Sequence, residues 1–197
     1  MRTLGTGIPV IFVHEFAGDC RSYEMQVRHF SKNYRCVTFN ARGYPPSDVP
    51  KDVARYSQER ARDDIRAVLD ALDIDRAHIV GLSMGAFATL HFGFGISAAC
   101  RSLVVAGCGY GARARMPERS SPLRLKPRPK QFEEQGDGQG CRNLRARPDA
   151  GPIPEQESAS AGRNSRRSLA EHSAQGSALT MRGSRNAGRL CMTLSTK

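Results

Sequence analysis

Gly81-Leu82-Ser83-Met84-Gly85 decides the reading of this chain. The five residues follow the short apolar run Ala77-His78-Ile79-Val80, and after them Phe87, Leu90, His91 and Phe94 recur at the i, i+3, i+4, i+7 spacing of a helix. A strand that turns at once into a helix leaves one residue at a strained apex with its side chain projecting. The positions on either side of that apex must be small for the two elements to close on each other. The pattern marks Ser83 as a nucleophile and predicts that Phe87, Leu90, His91 and Phe94 form the helix's buried face.

A serine hydroxyl hydrolyses nothing alone. It needs a base to take its proton, a carboxylate to orient that base, and amide donors for the developing oxyanion. Pro9-Val10-Ile11-Phe12-Val13 reads as a buried strand that ends in His14-Glu15-Phe16-Ala17-Gly18-Asp19, a small-residue loop able to turn backbone N–H groups into the mouth of a sheet. The N–H groups of Phe16 and Met84 are the expected oxyanion donors. His14, closing a strand, reads as a structural hydrogen-bonding residue rather than a catalytic one.

From Gly7 to Gly111 the chain resembles the serine-nucleophile branch of the α/β-hydrolase superfamily. Besides the Gly81 to Gly85 elbow, Phe39-Asn40-Ala41-Arg42-Gly43-Tyr44-Pro45-Pro46-Ser47-Asp48 is similar to that family's D-x-R-G-x-G-x-S stretch. Asn40 stands for the usual Asp, Pro46 for the second Gly, and His14-Glu15 for the common His-Gly. The resemblance implies a small-molecule ester or activated-carbonyl substrate, an acyl-enzyme on Ser83, and no cofactor or metal. It also implies that the acid and histidine follow later strands than this sequence contains, so catalytic incompleteness is expected. His29, His78, His91 and His172 do not fall where the family's base does.

An independent pass gives the same architecture. Strand signals at Val10 to Val13, Cys36 to Phe39, Ala77 to Val80 and Leu103 to Ala106 alternate with helical faces made by Tyr23, Val27 and Phe30, then by Ile65, Val68, Leu69 and Leu72. Short apolar strands between amphipathic helices predict a partial α/β-hydrolase fold, a parallel sheet with helices on both faces, in β-α-β-α-β-α-β order. Only Met1 to Gly7 precede the first strand, and an open sheet edge is expected there. Asp63, Asp64, Asp73 and Asp75 read as a solvated helix face and helix end. Gly107-Cys108-Gly109-Tyr110-Gly111 lacks the Lys-Ser/Thr of a phosphate loop.

Residues 112–197 differ in composition from the rest. They contain no Val, Tyr or Trp, one Phe (Phe132) and one Ile (Ile153), seven of the eleven prolines, and 17 Lys plus Arg against 8 acidic residues, a net of +9 out of +11. Such a segment buries too little apolar surface to offset its ordering entropy, so residues 1–111 are expected to form the core and 112–197 a largely disordered basic tail. Three readings compete for the tail: a polyanion-binding arm from Arg113 to Lys130, a solvated linker, and a translation of the wrong frame. Without interleaved aromatics or a binding fold, specific nucleic-acid recognition is not expected. The frame reading is preferred, because codons exist for Gly136 to Ala159 and for Gly188 to Thr193 whose neighbouring frames read like a hydrolase cap. Leu169 to Gly183 reads like the same cap in frame.

Six cysteines, at positions 20, 36, 100, 108, 141 and 191, form no C-x-x-C pair, and Cys36 and Cys108 fall at strand positions, so free buried thiols are expected. No stretch has signal-peptide or membrane-spanning character, and a cytoplasmic protein is expected. Limited trypsin digestion should leave a protected core within Gly7 to Gly111 and cut rapidly between Arg113 and Arg167. Survival of the full chain under conditions that cut a disordered control would contradict this.

Overall fold

The computed structural model describes residues 1–16, 18–108 and 173–187. The expected disorder and frame disruption of 112–172, together with Cys141, Cys191 and His172, lie outside them. In chain order the elements are β1 (Arg2–Leu4), β2 (Ile8–Val13), α1 (Glu24–Phe30), β3 (Tyr34–Thr38), α2 (Gln58–Asp70), β4 (Ala77–Leu82), α3 (Met84–Gly95), β5 (Cys100–Ala106) and α4 (Ala174–Ala187). The sheet order is β1-β3-β2-β4-β5, with every neighbouring pair parallel except β1 with β3.

The alternation of side chains along each strand sorts the apolar residues into two layers. Ile11, Val13, Val37, Phe39 and Ile79 face Ile65, Leu69 and Phe92 of α2 and α3. Val10, Phe12 and Cys36 point to the other side and pack on Tyr23, with Val27 of α1 against them. Helices thus cover both faces. After β2 the chain moves outward to β3, then crosses back to place β4 on the other side of β2. The strand order therefore reverses between β2 and β4, and the crevice at their C-terminal ends is where such a sheet presents its site.

Several expectations are corrected. The edge strand β3 is paired by β1 through Arg2↔Thr38, Thr3↔Val37 and Leu4↔Cys36, so the first seven residues close the edge expected to be open. In α3 the buried residues are Gly85, Ala86, Ala88, Thr89 and Phe92, whereas Phe94 is 68% exposed. The apolar spacing of Phe87, Leu90, His91 and Phe94 marks a different face, because the helix start sits so close to β2 that only small residues fit against the sheet. Phe30 is likewise exposed at the end of α1. Cys36 is a buried free thiol, but Cys108 lies two residues beyond β5 and is only half-buried.

Residues 174–187, within the stretch expected to be a tail, form the helix α4 in the region that reads as cap-like. Ala178 and Leu179 are buried, and α4 packs on the 3-10 turn Val53–Arg55 and on α2. A Cβ on Gly176 would stand 2.0 Å from the Gly43 carbonyl oxygen, so the helix backbone rests directly on the loop after β3.

Phe92→Ala should lower the unfolding free energy by about 3–5 kcal/mol, as for other buried phenylalanines, while Phe94→Ala should stay within about 0.5 kcal/mol of the parent. Urea denaturation of both variants checks the assignment of the helix face.

Candidate functional site

Ser83 is the one residue between β4 and α3, with φ 52° and ψ −110°. That backbone region is costly for a residue with a Cβ. The turn is held from three sides. Ser83 N–H donates to the Ala106 carbonyl of β5 at 2.8 Å, and the Ser83 carbonyl accepts from Ala86 N–H at 3.0 Å as α3 begins. A Cβ on Gly85 would lie 2.1 Å from the Val13 carbonyl oxygen, and one on Gly81 would lie 2.3 Å from the Gly85 carbonyl oxygen. Both flanking glycines are therefore required by close approach. Ser83 itself is exposed, and among the described residues no side chain is hydrogen-bonded to its hydroxyl.

Met84, the first residue of α3, has an N–H without an intrahelical acceptor, at the positive end of the helix dipole. Phe16 lies three residues beyond β2, the strand paired with β4 through Val13↔Gly81. The structure thus gathers Ser83, Met84 and Phe16 at the ends of two adjacent parallel strands. Tyr44 joins the two loops. Its hydroxyl donates to the Phe16 carbonyl at 2.9 Å and lies 3.7 Å from Met84 Sδ, and its side chain is completely buried.

His14 is a structural latch, as the sequence suggests. Its Nε2 accepts from Ala41 N–H at 3.0 Å and its Nδ1 is 2.8 Å from the Glu15 carbonyl. A carbonyl can only accept, so Nδ1 carries the proton and the Nε2 lone pair is taken by the amide. Glu15 turns away into the following turn, where its carboxylate accepts from Ser22 Oγ at 3.1 Å. The Tyr23 hydroxyl donates to the Val13 carbonyl at 3.2 Å, and burial, reinforced by the Glu15 charge, pushes its ionisation upward so that it remains a donor.

Asn40 shows why an amide serves where the resembling families carry Asp. Its Oδ1 accepts from Cys20 N–H at 2.9 Å and its Nδ2 donates to the Pro45 carbonyl, a bond no carboxylate can make. Asp64, expected on a solvated face, is instead only partly exposed and paired with Arg42, whose Nε donates to it at 2.7 Å. That hydrogen bond raises the affinity of the guanidinium for its proton. Arg42 also donates to the Arg55 carbonyl at 3.0 Å, so it pins the loop beneath α4. Neither Tyr44 nor the Arg42–Asp64 pair is marked as a site residue by sequence pattern, since Tyr44 and Arg42 lie in a loop without periodicity and Asp64 lies off the apolar stripe of α2.

The other histidines are engaged or distant. His78 Nδ1 is 2.7 Å from Ser102 Oγ at the start of β4, five residues and therefore about 16 Å from Ser83. His91 lies eight residues into α3, about 12 Å along its axis, and burial lowers its proton affinity against the opposing pull of Glu59. Beneath the elbow, a cavity of about 50 Å³ is bordered by Val13, Phe39, Met84, Gly85, Ala88 and Thr180. It has room for a few water-sized groups.

These features fit the chain's relatives. The sequence model of the alpha/beta hydrolase fold family matches residues 8–190, and the chain belongs to that family. It is 31% identical over 113 residues to 3-oxoadipate enol-lactonase 1 of Acinetobacter baylyi, which spans 53% of this chain and 41% of that protein. It is 35% identical over 83 residues to epoxide hydrolase 1 of Caenorhabditis elegans, 42% of this chain and 20% of that protein. The matched part is thus less than half of either curated relative. Among solved structures, an enol-lactonase from Burkholderia xenovorans superposes with a TM-score of 0.78 at 21% identity, covering 95% of this chain and 70% of the other. An esterase from Exiguobacterium antarcticum gives 0.74 at 18% identity, covering 94% and 69%. At these identities the structural likeness establishes the fold.

The strained turn generates its own test. Ser83→Gly, free to adopt positive φ, should raise the unfolding free energy by about 1–2 kcal/mol, whereas Ser83→Ala, which keeps the Cβ, should leave it nearly unchanged. Parallel urea titrations decide between a strained elbow and a relaxed one.

Proposed function

We propose that this fold serves the hydrolysis of a small-molecule carboxylic ester, lactone or similarly activated carbonyl, with Ser83 as nucleophile and the Phe16 and Met84 N–H groups as oxyanion donors. The observation that carries the reading is the exposed Ser83 at a strained turn, next to the first N–H of α3 and at the end of the strand paired with the one that leads to Phe16.

The identity of the nucleophile selects among the reactions named for the relatives. A serine oxygen that opened an epoxide would be left as an alkyl ether, which offers water no carbonyl to attack, so the enzyme would be consumed in one turnover. With an ester or lactone, the oxygen adds to the carbonyl, the alkoxide leaves with a proton, and the resulting acyl-serine is itself an ester that water can cleave. The lactonase and esterase names therefore suit this chain better than the epoxide hydrolase ones. The step needs no cofactor.

Taking the Ser83 proton is the unsupplied part. Among the described residues His14 has both nitrogens occupied, His78 and His91 lie too far along their elements, and His29 sits in the last turn of α1, just ahead of the start of β3 and so at the opposite end of the sheet. Our reading is a nucleophile and oxyanion site whose base is not in the described part of the chain, and which is catalytically incomplete as it stands. The tail composition supports the companion reading that most of 112–197, Leu169 to Gly183 excepted, is translated from another frame. The occupied His14 latch also favours a second reading, a non-catalytic binding protein on a hydrolase scaffold with a basic arm.

A fluorophosphonate probe applied to the full chain should give no stoichiometric labelling of Ser83, because a protonated hydroxyl is a weak nucleophile near neutral pH. Residual ester hydrolysis of the kind an oxyanion hole alone sustains is compatible with this. Rapid labelling of Ser83 would show that a histidine does serve as base and would overturn the incomplete-site reading.

A further inference from the structure

We propose that Tyr44 is a positioning residue for the oxyanion site, its hydroxyl holding the peptide that follows Phe16 so that the Phe16 N–H, oriented by the grip on the Glu15 carbonyl, stays in register with the Met84 N–H. The inference rests on the assignment of Phe16 and Met84 as donors and goes beyond it, by naming the group that holds one donor in register with the other.

Two peptides meet at Phe16. The first, between Glu15 and Phe16, carries the donor N–H, and its carbonyl is engaged by the protonated Nδ1 of His14 at 2.8 Å. Because the peptide is planar and trans, its N–H points opposite to that carbonyl, away from His14. The second peptide begins with the Phe16 carbonyl, which accepts from the Tyr44 hydroxyl at 2.9 Å. With both carbonyls held, the two soft dihedrals of Phe16 have little freedom. Removing the Tyr44 hydroxyl releases the second peptide, and the first, held only through its carbonyl by His14 Nδ1 and by Gly18 N–H at 3.1 Å, is then free to swing about those bonds.

The tyrosine itself has no slack to lose. It is fully buried, and its ring meets the edges of His14 and Phe16 at centroid distances of 4.8 and 6.3 Å. Its loop is closed by Gly43 N–H to the Asp48 carbonyl at 2.8 Å and by Tyr44 N–H to the Ala41 carbonyl at 3.1 Å. Ala41 in turn donates to His14 Nε2. The loop after β3 thus donates two hydrogen bonds to the segment after β2, one to His14 and one to the Phe16 carbonyl, while Asn40 Oδ1 accepts one in return from Cys20 N–H. The 3.7 Å approach of the same hydroxyl to Met84 Sδ brings the second donor residue into the cluster. A hydroxyl has one proton, and the carbonyl is the better acceptor, so the sulfur contact sets spacing rather than a second bond.

Acetate, a carboxylate anion of the size of the reacting group, reports on the donors without any turnover. Backbone amide resonances of the full chain are followed during titration with sodium acetate. In the unmodified protein the Phe16 and Met84 amides should shift together with one dissociation constant. In Tyr44→Phe that constant should rise roughly fivefold, the net worth of one hydrogen bond, and the Phe16 shift should shrink more than the Met84 shift. Tyr56→Phe is the control, since it removes another buried hydroxyl bordering the same cavity, one bonded at 2.9 Å to the Pro50 carbonyl and to neither donor residue. It should bind acetate as the parent does. p-Aminophenylalanine at position 44, which restores a donor of similar reach, should return the parental affinity, and it also serves if Tyr44→Phe does not fold. Parental acetate binding by Tyr44→Phe, or weakened binding by the folded amino variant, overturns the role of Tyr44. A lack of response at both amides in the unmodified protein overturns the donor assignment, and this proposal with it.

Discussion

Everything at the site depends on the contact between Gly85 and the Val13 carbonyl. A Cβ at position 85 would sit 2.1 Å from that oxygen, so the first turn of α3 lies against the end of β2 at a distance only a glycine allows. This closeness forces Ser83 to turn at positive φ and puts the N-terminus of α3 beside the loop that follows β2. It also restricts the buried face of α3 to Gly85, Ala86, Ala88, Thr89 and Phe92. The strain at Ser83 is the local cost of presenting a hydroxyl at the reversal of strand order, and the packing of two apolar layers holds it.

A second set of constraints positions the loops around that apex. His14, Asn40, Tyr44 and Arg42 all spend their polar groups on backbone carbonyls, backbone amides or one carboxylate. None is left to perform acid–base chemistry. His14, at the end of the strand beside β4, is a strut whose tautomer is dictated by the Glu15 carbonyl. In the proposed reading, nucleophile and donors come from the tightly packed strand ends, while the proton acceptor is not among the described groups that pack there.

The strands and the elbow were legible because their signals are local and steric. Val10 to Val13 and Ala77 to Val80 are short apolar runs between turn residues, and the glycines at 81 and 85 can be read from what a strand-to-helix turn demands. The choice of helix face was misread for α3, since Phe87, Leu90, His91 and Phe94 give a strong periodic signal while the residues that meet the sheet are small apart from Phe92. Periodicity records where large apolar side chains recur, and a helix held by close backbone approach hides its contact face in Gly, Ala and Thr. The closure of the front edge by Arg2–Leu4 was missed because a three-residue strand has no pattern of its own. Tyr44 and the Arg42–Asp64 pair were missed as site residues because they join segments distant in sequence, through bonds that no spacing rule encodes.

The central claim is that the nucleophile and its donors are in place while the base is not. Chemical rescue tests it most directly. Hydrolysis of p-nitrophenyl acetate by the full chain, measured with increasing neutral imidazole and corrected by the same series on Ser83→Ala, isolates the part of the rate that passes through Ser83. The account predicts a Ser83-dependent component near zero without imidazole that grows as imidazole is added, because the dissolved base takes the proton the protein leaves in place. A Ser83-dependent rate that is already substantial without imidazole, and unchanged by it, would contradict the account.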